Sequence, residues 1–386
     1  MKRVAICERP NWRDRASELG FTFHSPNGEP YWDETAYYAF TLDEIERRIE
    51  DPTAELDQMA RQLVDRVVRS EHLLTRLRIP ESAWDAVRTS WHRNAPSLYG
   101  RFDFSYDGAG PAKLLEYNAD TPTSLYEAAA FQWFWLEDQI AAGRLPEGAD
   151  QYNSIHELLV ARFAELSGQG TLHLACVDES IEDRGTIAYI DECARQGGFA
   201  TKFIAMADIG LGPDAQFYDL DNQPIHRLFK LYPWEWMFGE PFAEALLRSN
   251  TGMLEPPWKA VLSNKGILPL LWEMAPGHPN LLPCYFEDDP KAAEVQGAYA
   301  LKPLFSREGA NIELVRDGRV IDRDAGPYGG EGRVVQALAP LPCWNGNHAV
   351  VGSWVIAGKP AGLGIREDKS AITKNTSRFL PHAIVG

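Results

Sequence analysis

The sequence has little cysteine, and its five cysteines are scattered without a Cys-x-x-Cys pair. Their number is odd, and their spacing gives neither a zinc site nor a disulfide framework. The N-terminal residues lack the apolar core of a signal peptide. No apolar run approaches the ~18–20 residues that span a bilayer. We therefore expect a cytoplasmic protein that works in the reducing cytosol, without a membrane partner.

Positive charge is also scarce: 38 Lys and Arg face 55 Asp and Glu, for a formal net charge of −17. Such a surface repels nucleic acid and anionic membranes, so neither is expected as a partner. An anionic ligand such as ATP would need a locally basic site. A polyamine or another cation would instead be attracted by the overall field.

No Gly-x-Ser-x-Gly turn and no Cys/His pair points to a hydrolase nucleophile. Internal repeats and low-complexity segments are absent as well. What is present is a chain of 386 residues, 45% of them hydrophobic. This length and composition support a large core and about two or three domain-sized units.

The segment 101–118 predicts a β-hairpin. Residues 101–104 alternate polar and apolar side chains, the turn at 107–111 is rich in Gly, and 113–118 is the return strand. Strict alternation places Lys113, Leu115 and Tyr117 on one face of that strand. Leu114, Glu116 and Asn118 then lie on the other face.

Asp103, Glu116 and Asn118 can converge on one face of this hairpin. Two carboxylates and an amide are hard oxygen ligands that suit Mg²⁺ bound to nucleotide phosphates. Arg101 points the same way, where it could grip a phosphate or a carboxylate. The alternative is an ordinary hairpin with a solvated polar face.

The next segments predict a helix over 124–140 and then a parallel β-α-β unit. Thr121 and Thr123 precede the helix. Thr123 or Ser124 could cap it, with Glu127 or nearby amides completing the cap, and the helix N-terminus could instead bind an anion. The acidic loop 178–184 follows a strand of the β-α-β unit, where ligands gather. It either grips a cationic group or is merely solvated. The segment 230–235 could line the same cleft.

Residues 255–386 carry a second set of chemical signals. Lys302 ends a strand, and the loop 305–311 after it can close its backbone amides over a phosphate. This loop is neither a Walker A sequence nor a Gly-x-Gly-x-x-Gly. The strand ending near Gln336 leads into a proline-rich joint of the kind that receives adenine. Arg366 follows a hairpin around Gly358, where it could hold a developing oxyanion or a phosphate.

Several ordered motifs together resemble the glutathionylspermidine synthase family, in particular its stand-alone bacterial synthetase-domain proteins, over nearly the whole chain. The motifs lie at 101–104, 115–124, 264–272, 302–311 and 364–368. The resemblance implies an α+β or α/β protein with a permuted ATP-grasp fold, an N-terminal helical region and a smaller βαβ-type (pre-ATP-grasp-like) domain. The amidase domain of bifunctional members is not among these residues.

The resemblance further implies one synthetase unit over 1–386 with four sub-regions. These are an N-terminal arm and helices (1–95), a metal-binding hairpin and helix (96–150), a βαβ substrate-side domain (151–250), and an ATP-binding lid with C-terminal ATP-grasp strands (251–386).

Family roles carried over by position give a full candidate site. Magnesium ligands are Asp103, Glu116 and Asn118, and catalytic arginines are Arg101, Arg307 and Arg366. ATP-binding residues are Lys265, Lys302, Ser306, Gly309 and Gln336, and substrate-binding residues are Thr121, Thr123, Glu182 and Asp183.

The expected reaction uses ATP and Mg²⁺ to join a carboxylate to an amine through an acyl phosphate. The carboxylate is expected on a peptide or glutathione-like molecule, and a polyamine is a candidate amine. Two alternatives stay open: a non-catalytic Mg-ATP-binding protein that has lost its substrate half, and a carboxylate kinase. The sequence does not give the oligomeric state.

Overall fold

The computed structural model describes residues 1–168, 170–213 and 215–386, together with their side chains except that of Asn27. The α-helices are α1 (Trp12–Glu18), α2 (Leu42–Glu44), α3 (Asp51–Val68), α4 (Glu71–Arg76), α5 (Trp84–His92), α6 (Gln132–Ala141), α7 (Ile155–Leu166), α8 (Ile181–Gln196), α9 (Trp234–Met237), α10 (Ala243–Arg248), α11 (Lys259–Leu262) and α12 (Ile267–Met274). Short 3₁₀ turns lie at Pro26–Gly28, Glu81–Ala83, Met206–Asp208 and Pro290–Glu294, and π turns at Ile45–Glu50 and Glu127–Phe131.

The strands are β1 (Lys2–Ala5), β2 (Ala36–Phe40), β3 (Tyr99–Ser105), β4 (Lys113–Asn118), β5 (Thr171–Cys176), β6 (Ala200–Ala205), β7 (Gly210–Leu211), β8 (Phe217–Tyr218), β9 (Arg227–Leu231), β10 (Gly252–Leu254), β11 (Cys284–Phe286), β12 (Ala298–Pro303), β13 (Glu313–Arg316), β14 (Arg319–Arg323), β15 (Arg333–Ala337), β16 (Cys343–Trp344), β17 (Asn347–Ile356), β18 (Lys359–Asp368), β19 (Arg378–Leu380) and β20 (His382–Ile384).

Three larger sheets organise the chain. The central sheet is antiparallel, in the order β19-β18-β17-β3-β4, with β16 paired to β17. A second antiparallel sheet has the order β11-β15-β12-β13-β14. The third, β10-β9-β5-β6, is parallel, which confirms the predicted β-α-β unit β5-α8-β6. Smaller pairings join β1-β2-β20 and β7-β8.

The hairpin β3-β4 forms as predicted, but its strict alternation was wrong. A bulge shifts the register so that Asp103 pairs with Glu116 while Phe104 pairs with Leu114. Because of the extra residue, Leu114 turns into the core beside Phe104, and Leu115 faces the same cleft as Glu116. Phe102 stacks on Tyr117 at 3.7 Å between ring centroids, which fixes the buried face of the hairpin.

The N-terminal segment packs as predicted. Thr41 and Glu44 form the expected capping box at α2. Leu56, Leu63 and Val67 of α3 are fully buried in the main core, against the central sheet and α12. The aromatic arm before α2 is structural, since Trp32 is fully buried and stacks on Phe379. In the described part of the chain, no helix has both the length and the apolar character needed to span a bilayer.

Candidate functional site

A cavity of about 310 Å³ opens between the central sheet and the second antiparallel sheet. Its polar end is built by β3, β4 and the loop after β12. Its apolar end is built by side chains of β12–β15 and β17, the 338–341 joint and the 371–373 segment. The apolar side chains are those of Ala300, Ile312, Leu314, Ile321, Leu338, Val350 and Ile372. A cleft with one charged end and one apolar end suits a ligand that is itself charged at one end.

Asp103, Glu116 and Asn118 come together at the polar end of this cleft, as the hairpin pattern predicts. The Asn118 amide nitrogen lies 3.2 Å from Asp103 Oδ2 and 3.1 Å from Glu116 Oε1. Arg101 and Asp103 are only 7% and 6% exposed, so the alternative of a solvated polar face was wrong. Among the described residues no group of three His, Cys, Asp or Glu could hold a metal ion. This triad has two carboxylates and an amide, and its oxygens are the donors that Mg²⁺ prefers.

Basic side chains neutralise the two carboxylates from either side. Arg101 forms a fork with Asp103 through Nε at 2.6 Å and Nη2 at 3.0 Å. Burial nevertheless raises the pKa of Asp103, with Arg101 opposing it. Lys265 Nζ lies 3.0 Å from Glu116 Oε2. Burial alone would raise the pKa of Glu116, but Lys265 and Lys302 outweigh it and lower that pKa to about 2.

Lys302 and Gln336 contact each other on neighbouring strands of the second sheet. Lys302 Nζ donates to Gln336 Oε1 and to the Leu115 carbonyl, both at 2.8 Å. Burial lowers the pKa of Lys302 to about 8, although Glu116 opposes the change. Lys265 lies just behind the cleft lining and reaches the Ser306 carbonyl at 2.6 Å. The predicted ATP-binding residues therefore surround one end of the cavity.

The loop after β12 and the 371–373 segment meet across the cleft. Gly309 has a φ of +77°, and a Cβ on it would lie 2.5 Å from the Thr373 carbonyl oxygen. Arg366 of β18 lies beside the same segment and donates to the carbonyls of Lys374 and Asn375. The Arg366 Nε atom is buried and has no partner among the described residues, so it can still donate to a ligand.

We expect Gly309→Ala to raise the KM for ATP about fivefold, because the added methyl group would collide with the Thr373 carbonyl and displace the loop 305–311. Thermal stability should change little, because the loop is half-exposed. Gly318→Ala is the matched control: its φ is +74°, but a Cβ there would contact nothing within 4 Å. The KM is measured by ADP release. Equal KM values for the two variants would contradict the contact.

The predicted substrate-side residues divide into two groups. Thr121 and Thr123 line the cleft. Glu182 and Asp183 do not line it. They lie in the first turn of α8. The Ser180 hydroxyl caps this helix by accepting a hydrogen bond from the Asp183 backbone N–H. The acidic loop is partly solvated, since Asp178 and Glu179 are exposed while Glu182 and Asp183 are half-buried.

Glu182 has an unusual acidity that gives a testable pH dependence. Burial, together with the nearby Glu127 carboxyl, raises its pKa to about 8. The folded state therefore holds a proton that the unfolded chain releases near pH 4.5. The contribution to stability is complete below pH 4.5 and is lost as the pH rises to about 8.

We expect Glu182→Gln to reduce the loss of unfolding free energy between pH 5 and pH 8 by on the order of 1–2 kcal/mol. Urea unfolding at both pH values measures this. Glu179→Gln, an exposed carboxylate of the same loop, should leave the pH dependence unchanged. Equal pH dependence for the wild type and Glu182→Gln would refute the assignment.

Sequence reasoning missed three contacts beside the cleft. Asp120 pairs with the buried Lys230 at 2.5 Å and accepts a hydrogen bond from the Trp234 backbone N–H at 2.9 Å. Glu235 lies 3.6 Å from Arg307. The segment 230–235 was predicted to line the cleft, and Glu235 does, but nothing in the sequence indicated its partners.

Tyr31 and Glu127 form the third missed contact. The Tyr31 hydroxyl donates to Glu127 at 2.5 Å and lies 2.9 Å from the Ser124 hydroxyl. The other oxygen of Glu127 is buried without a partner in the part of the chain that the structure describes. The sequence had indicated only a helix cap at this position, because its partner lies 96 positions away.

Comparison with known proteins agrees with this architecture. The family model described as glutathionylspermidine synthase preATP-grasp matches residues 3–385. A Haemophilus influenzae protein that bears the name acid–amine ligase is 40% identical over the full length of both chains. The bifunctional glutathionylspermidine synthetase/amidase of Escherichia coli is 26% identical over 97% of this chain, which spans 63% of that enzyme.

A solved structure shows the same fold at low identity. The glutathione synthetase-like effector of Globodera pallida, in its apo form, superposes with a TM-score of 0.59, covering 98% of both chains at 12% identity. The mixed α/β architecture is thus that of the glutathione synthetase-like proteins. The chain belongs to the glutathionylspermidine synthase family of ATP-dependent, amide-forming ligases.

Proposed function

We propose that this ligase joins the carboxylate of a peptide or glutathione-like molecule to an amine such as a polyamine, using ATP and Mg²⁺. We further propose that its fold is an ATP-grasp whose elements are permuted in sequence. The observation that carries the proposal is the polar end of the cleft. The Asn118 amide lies there within hydrogen-bond reach of both Asp103 and Glu116, and Arg101 and Lys265 flank the two carboxylates.

The residues present fit both ATP and its metal ion. Asp103, Glu116 and Asn118 would hold Mg²⁺, which supplies charge neutralisation at the phosphates when bound. Lys265 and Lys302 would face the phosphates of ATP. The adenine would occupy the apolar end, near the joint after Gln336. The overall charge of −17 makes this basic end necessary, because the protein field otherwise repels ATP.

The proposed chemistry needs no protein nucleophile. The substrate carboxylate oxygen attacks the γ-phosphorus, the bond to ADP breaks, and an acyl phosphate forms. The neutral amine then attacks the acyl carbon, the carbon–oxygen bond to phosphate breaks, and an amide, phosphate and a proton result. Arg101, Arg307 and Arg366 stabilise the negative charge as it moves. The loop 305–311 closes over ATP and keeps water out.

The test is ADP release by the purified protein with Mg²⁺ and ATP, across peptides with and without polyamines. Release that requires both a carboxylate and an amine, with a product of the condensation mass, is expected. Release without an amide would favour the carboxylate kinase. No release, but a melting temperature raised by Mg-ATP, would favour the binding protein.

A further inference from the structure

The contacts of Arg307 are with residues outside the polar triad. Its Nη2 donates to the Thr121 hydroxyl at 2.6 Å, and its Nη1 lies 3.6 Å from Glu235 Oε1. The guanidinium carbon lies 5.7 Å from the ring centroid of Trp236. No hydrogen bond or ion pair joins it to the triad within the described residues. The arginine is therefore held at the α9 side of the cleft.

Glu235 is the anionic half of this contact. Its side chain is 13% exposed and that of Arg307 is 29% exposed, so the ion pair is only partly screened by water. Glu235 follows directly after Trp234, whose backbone N–H is held by the buried Asp120. That hydrogen bond fixes the start of α9 and therefore the position of the carboxylate.

We propose, on the basis of the proposed function, that Glu235 is a positioning residue that holds Arg307 away from the phosphates of ATP. The nucleotide must then break the ion pair between Glu235 and Arg307 before the loop 305–311 can close. Breaking it frees the Glu235 carboxylate for an ammonium group of a polyamine substrate, other than the neutral amine that reacts. ATP then binds before the amine, because Arg307 occupies the place of the amine cation until the phosphates attract it.

The inference predicts a gain of nucleotide affinity on removal of a charge. Glu235→Gln should lower the Kd of Mg-AMP-PNP about threefold to tenfold, because no ion pair then competes with the phosphates for Arg307. Isothermal titration calorimetry measures the Kd. Glu240→Gln is the matched control, because that carboxylate lies on the same segment but accepts from Tyr232, at 2.7 Å. The control should bind with wild-type affinity.

A double-mutant cycle tests whether the effect acts through Arg307. In an Arg307→Met background, Glu235→Gln should leave the Kd of Mg-AMP-PNP unchanged. Spermidine then probes the freed carboxylate: Arg307→Met should bind it at least fivefold more tightly than Arg307→Met/Glu235→Gln does. Equal spermidine affinities would overturn the role of Glu235 toward the amine.

The outcomes separate this inference from the proposed function. Failure of the wild-type protein to bind Mg-AMP-PNP would overturn both. Wild-type binding combined with unchanged or weaker binding by a folded Glu235→Gln, as judged by circular dichroism, would overturn the inference alone. Persistence of the Glu235→Gln effect in the Arg307→Met background would show that Glu235 acts on nucleotide without Arg307.

Discussion

Asp103→Asn is expected to reduce Mg-ATP-dependent ADP release at least about 100-fold, because it removes one charged ligand of the proposed magnesium site and leaves Arg101 without its fork. The side chain keeps its size, so the fold should persist. The increase in melting temperature caused by Mg-ATP should be lost as well. Glu116→Gln should show the same loss of turnover, because Glu116 supplies the second carboxylate.

The matched control is Asp107→Asn in the turn of the same hairpin. Asp107 is exposed and accepts hydrogen bonds only from nearby backbone N–H groups, at 2.9 Å and 3.4 Å, among the described residues. The change in charge is identical, and ADP release should stay at the wild-type rate. Wild-type turnover by Asp103→Asn would remove this carboxylate from the proposed metal site.

Lys230→Met is expected to lower the free energy of unfolding by about 3 kcal/mol, because it leaves a buried carboxylate without its ion pair. Lys230 is fully buried and Asp120 is 2% exposed, at 2.5 Å from each other. Burial lowers the pKa of Lys230, and Asp120 opposes that change. The pair also joins the parallel sheet to the end of β4, so its loss should weaken both stability and turnover.

Lys202→Met on β6, a strand of the same parallel sheet, is the control for this prediction. Lys202 pairs with Asp219 at 2.7 Å, but its side chain is 34% exposed, so its loss should cost much less than the loss of Lys230. Urea unfolding of both variants gives the comparison. If Lys230→Met were no less stable than Lys202→Met, the buried pair would have no special role. Adding Asp120→Asn to Lys230→Met should recover part of the loss.

Local patterns in the sequence were sufficient for much of this molecule. The Thr41 capping box, the hairpin around Gly358 and the β5-α8-β6 unit are each formed by one continuous stretch of the chain. Asp103, Glu116 and Asn118 also meet through one hairpin. Short-range steric and hydrogen-bonding preferences decide such elements, so the sequence states them directly.

What the sequence could not predict depends on a register or on distant partners. One bulged residue turned Leu115 into the cleft, and no residue type marks such a shift. The partners Asp120 and Lys230 lie 110 positions apart, so their pairing appears only when two sheets pack together. Glu235 was found as a cleft residue, but its ion pair with Arg307 depends on where a loop from another sheet ends.

The pairing of β2 with β20 has a consequence for how the chain reaches its native state. This parallel pair joins Tyr38 to His382, so its two strands come from opposite ends of the sequence. During synthesis, the edge of β2 that faces β20 stays unpaired until residues 382–384 have left the ribosome. Contacts between such distant residues slow folding, and open strand edges invite association between chains. Newly made molecules should therefore depend on chaperones more than their stability alone suggests.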